Sequence, residues 1–295
     1  RWLEVDAERL RVRLNLRRGL AIDALTFPAV CARPLLGTLA HGYYDDIRRG
    51  ADFYSGHLVL ELPGHPKLTD LEAVEPRIEA TGDGLAIHAA IPTPLGPLHK
   101  TVALDLRQGR VSIGYRPDWA GVPKGSLRLG HVTLKPDAWA ADRLWYATHN
   151  GGAEERFALD GTAFDHGRPV SFLVSAGHAL GLTEGRIELG DAQHAVCVGF
   201  DPAVAACVGM LAYEPVGPGW FCRLSFSAGE IDDTCRDGLD NDHNGFTDCA
   251  DYSCSQAEDI ETRQACQESL GDADAQCSNG EDDDQDGFVD CDDWD

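Results

Sequence analysis

RIEATGDGLAIHAAI, residues 77–91, places two runs of alternating apolar and polar residues on either side of Gly82-Asp83-Gly84. Alternation with period two sends successive side chains to opposite faces of a strand, and a glycine-flanked aspartate suits a tight reversal. The stretch predicts a β-hairpin. KTVALDLRQGRVSIGY, residues 100–115, repeats the device around Gln108-Gly109. Further out, Val12, Leu14 and Leu16 alternate with Arg11, Arg13 and Asn15, giving one apolar and one polar face. HLVLEL, SLRLGHVTL, RLWYATH, PVSFLVS, RIELG, AVCVGF and FCRLSFS are further strand candidates, and no long stretch sustains a 3.6-residue apolar period. About a dozen strands separated by Gly and Pro turns predict an all-β, antiparallel fold. Residues 1–232 are too many for a seven-stranded sandwich, so the expectation is a large supersandwich built on two large sheets.

Charge divides the chain near residue 232. The net charge is −24, and residues 231–295 hold 22 Asp and Glu against two Arg, a local charge of −20. Residues 1–230 hold 27 acids against 23 bases. A near-neutral body is joined to a very acidic tail, which argues against nucleic acid as a partner because a phosphate backbone needs a basic surface. Cys235, Cys249, Cys254, Cys266, Cys277 and Cys291 crowd the tail, whereas Cys31, Cys197, Cys207 and Cys222 are scattered over the body. The most apolar stretch, residues 194–213, is broken by Asp201-Pro202 and reads as strand, turn, strand, not as a membrane span. No signal peptide is legible. The start at Arg1, almost directly before a strand pattern, predicts a processed or partial chain.

The tail, residues 233–295, carries its own chemistry. CRDGLDNDHNGFTDC at 235–249 returns 42 residues later as CSNGEDDDQDGFVDC at 277–291. Numbered from Asp240, the ligand positions 1, 3, 5, 7, 9 and 12 fall on Asp240, Asp242, Asn244, Phe246 (through its carbonyl), Asp248 and Asp251. In the second copy they fall on Asp282, Asp284, Asp286, Phe288, Asp290 and Asp293. Gly245 and Gly287 occupy the sharp turn at position 6. This is the oxygen spacing of a twelve-residue Ca²⁺ loop. Crowded carboxylates repel unless a cation sits among them.

Position 12 is Asp in place of the bidentate Glu, and cysteines flank the loops where an EF-hand has helices. A bridge closing a loop of about 15 residues is worth roughly 3 kcal/mol in the chain-entropy model. The tail is therefore expected to be a disulfide-stapled set of calcium loops, with affinities of about 10⁻⁴–10⁻³ M and a place outside the cytoplasm, secreted or at the cell surface. Zinc is a weaker candidate, since there is no CxxC pair and His243 stands alone. A solvated acidic tail with accidental spacing is opposed by the agreement of the two copies. The next cysteine of the second copy would be residue 296, so further copies are expected beyond the second. The tail resembles the Cys/Asp-rich metal-binding repeats of bacterial secreted and surface proteins. That resemblance implies a role in attachment or spacing.

In the body, polar clusters fall at expected strand ends and loops: LAHGYYDDI, DFYSGH, LRLGHVTLKP, THNGGAEERF and FDHGRPVSF. Tyr43, Tyr44, Tyr54, Trp139, Trp145 and Trp220 are candidate platforms for sugar rings. His131, His149 and His166, with Glu154 or Glu155, are candidate acid/base groups. Each has a bland alternative, as a hydrogen-bonded strand histidine or a core aromatic. No Gly-x-Ser-x-Gly, phosphate loop or dinucleotide fingerprint is present.

The segments PLLGTLAHGYYDDI, DFYSGHLVLELPG, TPLGPLHKTVAL, SLRLGHVTLKPDAW and HNGGAEERFALDG resemble the C-terminal β-domain of family 57-type glycoside hydrolases, which is itself similar to the galactose-mutarotase supersandwich. The resemblance implies that residues 1–232 are a non-catalytic accessory domain of a carbohydrate-active protein. Its paired catalytic carboxylates would lie in a preceding (β/α)₇ barrel, absent from this sequence. Two other readings stand beside it. One is a self-contained mutarotase- or epimerase-like sugar enzyme using residues such as His131, His149, His166 and Glu155. The other is a structural surface protein with a calcium-stabilised stalk.

Overall fold

Alternation governs the chain wherever it can be followed. A computed structural model describes residues 1–62, 66–120, 125–149, 152–159, 161, 163, 180–182, 185–201, 204 and 207–228, all within a unit spanning Arg1–Glu230. Strands β1 (Trp2–Asp6), β2 (Arg11–Asn15), β3 (Ala21–Thr26) and β4 (Leu36–Gly37) form a sheet in that order. β5 (Val59–Glu61) and β6 (Leu68–Thr69) begin a second sheet. β7 (Arg77–Ala80), β8 (Gly84–Thr93), β9 (Gly96–Asp105) and β10 (Arg110–Pro117) make an antiparallel meander. They are followed by β11 (Ser126–Thr133), β12 (Trp145–Thr148), β13 (Glu155–Ala158), β14 (Leu180–Leu182), β15 (Arg186–Gly190), β16 (Ala195–Gly199), β17 (Cys207–Val216) and β18 (Gly219–Ala228). The second sheet has six strands in the order β14-β17-β18-β11-β5-β6, and β13-β12-β15-β16 form the fourth. Among the described residues the only helical pieces are three-residue 3-10 turns.

The two hairpins read from the sequence form around the expected turns. Arg77 opposes His88 across β7 and β8, and Arg110 opposes Asp105 across β9 and β10. The second turn is held by the Asp105 carboxylate, which accepts from the Arg107 and Gln108 amides at 2.9 and 2.8 Å, while Gly109 takes a φ of 68°. Ile87, Ala89 and Ile91 of β8 point inward, as do Leu98, Val102 and Leu104 of β9. They join one continuous core with Leu10, Leu14, Leu60, Ile187, Leu211 and Leu224. Each large side chain buried there contributes about 1.5–3 kcal/mol.

The all-β antiparallel class is as expected, but hydrogen bonding divides the described strands into four sheets where two large ones were anticipated. No ladder joins the first and second sheets; isolated bridges, Ile22–Ser55, Leu36–Leu134 and Leu39–Phe53, lie where they approach. Single bridges between irregular segments leave no periodic trace in a sequence. The strand-turn-strand expected over 194–213 also separates, since β16 and β17 belong to different sheets. PVSFLVS lies outside the described residues, as do both calcium loops, all six tail cysteines and the disulfides expected of them. Among the described residues Cys31, Cys197, Cys207 and Cys222 are free thiols, and no helix is long and apolar enough to cross a membrane.

Candidate functional site

The segment Tyr54–Leu58, within the DFYSGH cluster, is where three of the sheets are tied together. The Ser55 carbonyl accepts from the Ile22 amide at 2.8 Å. The Ser55 hydroxyl donates to the Gly37 carbonyl at 2.6 Å and accepts from the Thr133 amide at 2.9 Å. The Gly56 amide donates to the His131 carbonyl at 2.6 Å, and the Gly56 carbonyl accepts from the Lys100 ammonium. Gly56 has a φ of 68°, and a Cβ there would lie 2.8 Å from Ile113 Cδ1, so only glycine fits without movement.

Beneath this segment lies a fully buried ion pair. Lys100 occupies an inward position of β9, opposite Tyr115, and its Nζ lies 2.7 Å from Asp70 Oδ2 with both side chains fully buried. Asp70 also accepts from the Leu58 amide at 3.0 Å. Burial raises the Asp70 pKa and lowers that of Lys100, while their mutual attraction opposes both shifts.

Above the segment the six-stranded sheet has a polar face. Trp220, Cys222, Leu224 and Phe226 of β18 enter the main core, so Phe221, Arg223, Ser225 and Ser227 face the other way. A register shift between Leu129 and Val132 of β11, with Gly130 at a φ of 58°, marks a bulge beside His131. The His131 ring stacks on His57 with centroids 4.2 Å apart, and its Nδ1 is 3.3 Å from the His57 carbonyl. Both histidines are buried. Burial, then the charges of Arg223 and Lys100, push the His57 pKa down to about 3. Burial, then His57 and Arg223, hold His131 well below its usual range. The imidazoles are therefore neutral.

Glu61 on this face is ionised. Burial works to raise the Glu61 pKa, but a hydrogen bond from Lys67 and the charges of Arg128 and Lys67 outweigh it and hold the group low. Glu214 pairs with Arg49, and with Arg48 at 3.0 Å. Arg49 in turn lies 4.4 Å over the Phe221 ring.

The loop preceding this segment supplies the rim. Tyr54 donates to Asp52 Oδ2 at 2.6 Å and accepts from Arg18 Nε at 3.2 Å. The other Asp52 oxygen accepts from the His41 amide. Tyr43 is 41% exposed, and its hydroxyl lies 3.2 Å from Asp137. Burial and then Asp137 push the Tyr43 pKa up to about 12, so its hydroxyl is protonated.

The residues singled out in the sequence converge only in part: His149 meets Glu154, and His131 lies apart from both. His131 lies in the buried stack. His149 sits in the turn between β12 and β13, with Nδ1 3.1 Å from the Gly152 carbonyl and Nε2 3.9 Å from Glu154. Glu155 opens β13 opposite Thr148 and is exposed. Glu154 and Glu155 flank His149 because one hairpin carries all three; that hairpin belongs to a different sheet from His131. His166 lies outside the described residues. Of the expected sugar platforms, Tyr44, Trp139 and Trp220 are buried among core residues, Trp220 through the inward parity of β18. Trp145 is half-buried, its ring covered by the Arg156 guanidinium at 3.6 Å. Tyr43 and Tyr54 remain accessible.

His57, Arg223 and Lys100 went unremarked in the sequence. A legible signal existed for Lys100, which shares its parity with Leu98, Val102 and Leu104 of β9. No group of three or more His, Cys, Asp or Glu side chains is placed to hold a metal among the described residues. No family model matches the chain, and no curated protein matches it.

The polar face offers hydrogen-bond donors, aromatic edges and fixed charges. A base with a pKa near 3 is too weak to abstract protons efficiently at neutral pH, and a fully ionised carboxylate cannot act as an acid. The arrangement is suited to holding a polar ligand more than to transferring a proton.

Proposed function

We propose that residues 1–232 are a non-catalytic, carbohydrate-binding β-domain serving a glycoside hydrolase-like catalytic domain, and that residues 233–295 bind Ca²⁺ outside the cytoplasm. The observation that carries the first half is the state of the His57–His131 face. Its imidazoles are neutral and its Glu61 is ionised, so no acid/base pair is poised near neutral pH. The rim of Tyr43, Tyr54, Asp52 and Arg18 meanwhile presents ring faces and hydrogen-bonding groups of the kind that hold sugars. The segment resemblance to family 57-type β-domains points the same way. The repeated oxygen spacing of Asp240–Asp251 and Asp282–Asp293 supports the second half.

The test is calorimetric titration of the full chain with neutral oligosaccharides, alongside polarimetry for anomer interconversion. Binding without turnover, weakened roughly tenfold or more by Tyr54→Ala, is the expected result; a stacking and hydrogen-bonding side chain of this kind carries about 1.4 kcal/mol or more. Anomer interconversion abolished by His131→Ala would establish the self-contained enzyme instead. For the tail, Ca²⁺ should protect residues 235–295 from protease and a chelator should remove that protection, with Asp240→Ala and Asp282→Ala each lowering the stoichiometry. Protection indifferent to the chelator would overturn the calcium assignment.

A further inference from the structure

Three guanidinium groups share the polar face of the six-stranded sheet: Arg49, Arg128 and Arg223. Arg49 is met by Glu214, and Arg128 lies 3.8 Å from Glu61. Arg223 makes no ion pair among the described residues, although the charge of Glu61 acts on it. Its guanidinium lies over the rings of Phe53 and Phe221, with centroids at 5.8 and 5.7 Å. The guanidinium is half-buried. Burial, then repulsion from Arg128 and Arg49, lowers its pKa to about 10. Two phenylalanine faces do not replace the five donor bonds that water would make. A leucine or methionine would fill the same space without that cost. Next to it, His57 is 7% exposed, and its Nδ1 has no hydrogen-bond partner. A buried polar atom without a partner, beside a cation that makes no ion pair among the described residues, leaves donor capacity for a ligand.

We propose that Arg223 anchors an anionic substituent, a carboxylate or a sulfate ester, on a saccharide held at this face. The planar fork of Arg223 takes two oxygens of the anion, and His57 Nδ1 meets a neighbouring hydroxyl. The inference rests on the reading of this face as a glycan-binding surface and adds to it the class of glycan. The chain carries −24 overall, and on this face Glu214 pairs with Arg49 and Glu61 lies 3.8 Å from Arg128, so Arg223 is the guanidinium left to meet an acidic sugar.

The experiment titrates the full chain with three oligosaccharides of matched length: a hexuronate, a sulfated sugar and a neutral one. At least one charged ligand should bind ten-fold or more tighter than the neutral one, and which of the two does so identifies the anion. Arg223→Gln should abolish that preference, and Arg223→Lys should keep part of it. In the parent protein the charged ligand's affinity should fall with added salt and the neutral ligand's should not, a readout that needs no variant to fold. Equal binding of charged and neutral sugars, or a preference that survives Arg223→Gln, would overturn the inference and leave the glycan-binding reading standing. Failure of every sugar to bind would overturn both.

Discussion

Lys100 and Asp70 show how much one pair of side chains decides. Both are fully buried and joined at 2.7 Å, so removal of either leaves an uncompensated charge in the core. Asp70→Asn is expected to cost about 3–5 kcal/mol. That corresponds to a melting temperature lower by roughly 6–20 °C for a domain of this size. Replacing both partners by apolar residues, as in Asp70→Leu with Lys100→Met, should recover most of the loss. Thermal melts of the single and double variants provide the check; a single variant as stable as the parent would refute the burial of the pair. Half of this pair was open to sequence reading. Leu98, Lys100, Val102 and Leu104 share one parity, which commits a lysine to the core face of β9. Nothing in the neighbourhood of Asp70 announces its partner 30 residues away, because parity reports a face and not what lies across from it.

Among the elements, the hairpins β7–β8 and β9–β10 were legible because turn chemistry and alternation are both local. The short strands β4, β6 and β14 were not, since two or three residues carry no period and pairing alone creates them. The irregular crossing at Ser55–His57 was singled out as a polar cluster, but its linking role depends on Ile22, Lys100 and Thr133, remote in sequence. Gly56 is the residue that lets the crossing close. Gly56→Ala should cost about 1–3 kcal/mol, from the left-handed φ of 68° and the 2.8 Å approach to Ile113. Gly114→Ala, on β10, where an added Cβ meets nothing within 4 Å, should be within about 0.5 kcal/mol of the parent. Urea unfolding of the two variants tests the contrast. Equal losses would mean that Gly56 is not structurally demanded.

For the whole body, the buried histidines set the response to acid. His57 titrates near 3 in the folded protein against 6.5 for an ordinary histidine, and His131 is shifted in the same direction. Above pH 6.5 both states are neutral and the full stability is present. As pH falls from 6.5 towards 3 only the unfolded chain takes up the protons, so unfolding becomes easier. The slope approaches about 1.4 kcal/mol per pH unit for each imidazole. Denaturant melts at about pH 7.5 and about pH 5 should show this loss, and His57→Gln with His131→Gln should flatten it. A parent protein equally stable at both pH values would contradict the neutral, buried state of the stack. At this scale the all-β class and the charge asymmetry were plain from composition and alternation. The division into four sheets was not, because it depends on where ladders break, and single bridges across Leu36, Leu39 and Ile22 leave no trace in the order of residues.

Closure of the crossing at Ser55–His57 has a kinetic meaning. Its bonds join residues 22 to 55, 55 to 133, 56 to 131 and 56 to 100, and each requires a long loop to be drawn shut before any local gain repays the lost chain entropy. Hairpins need only short loops to close, whereas this knot of distant segments needs long ones, so the crossing is expected to close after the hairpins that it joins.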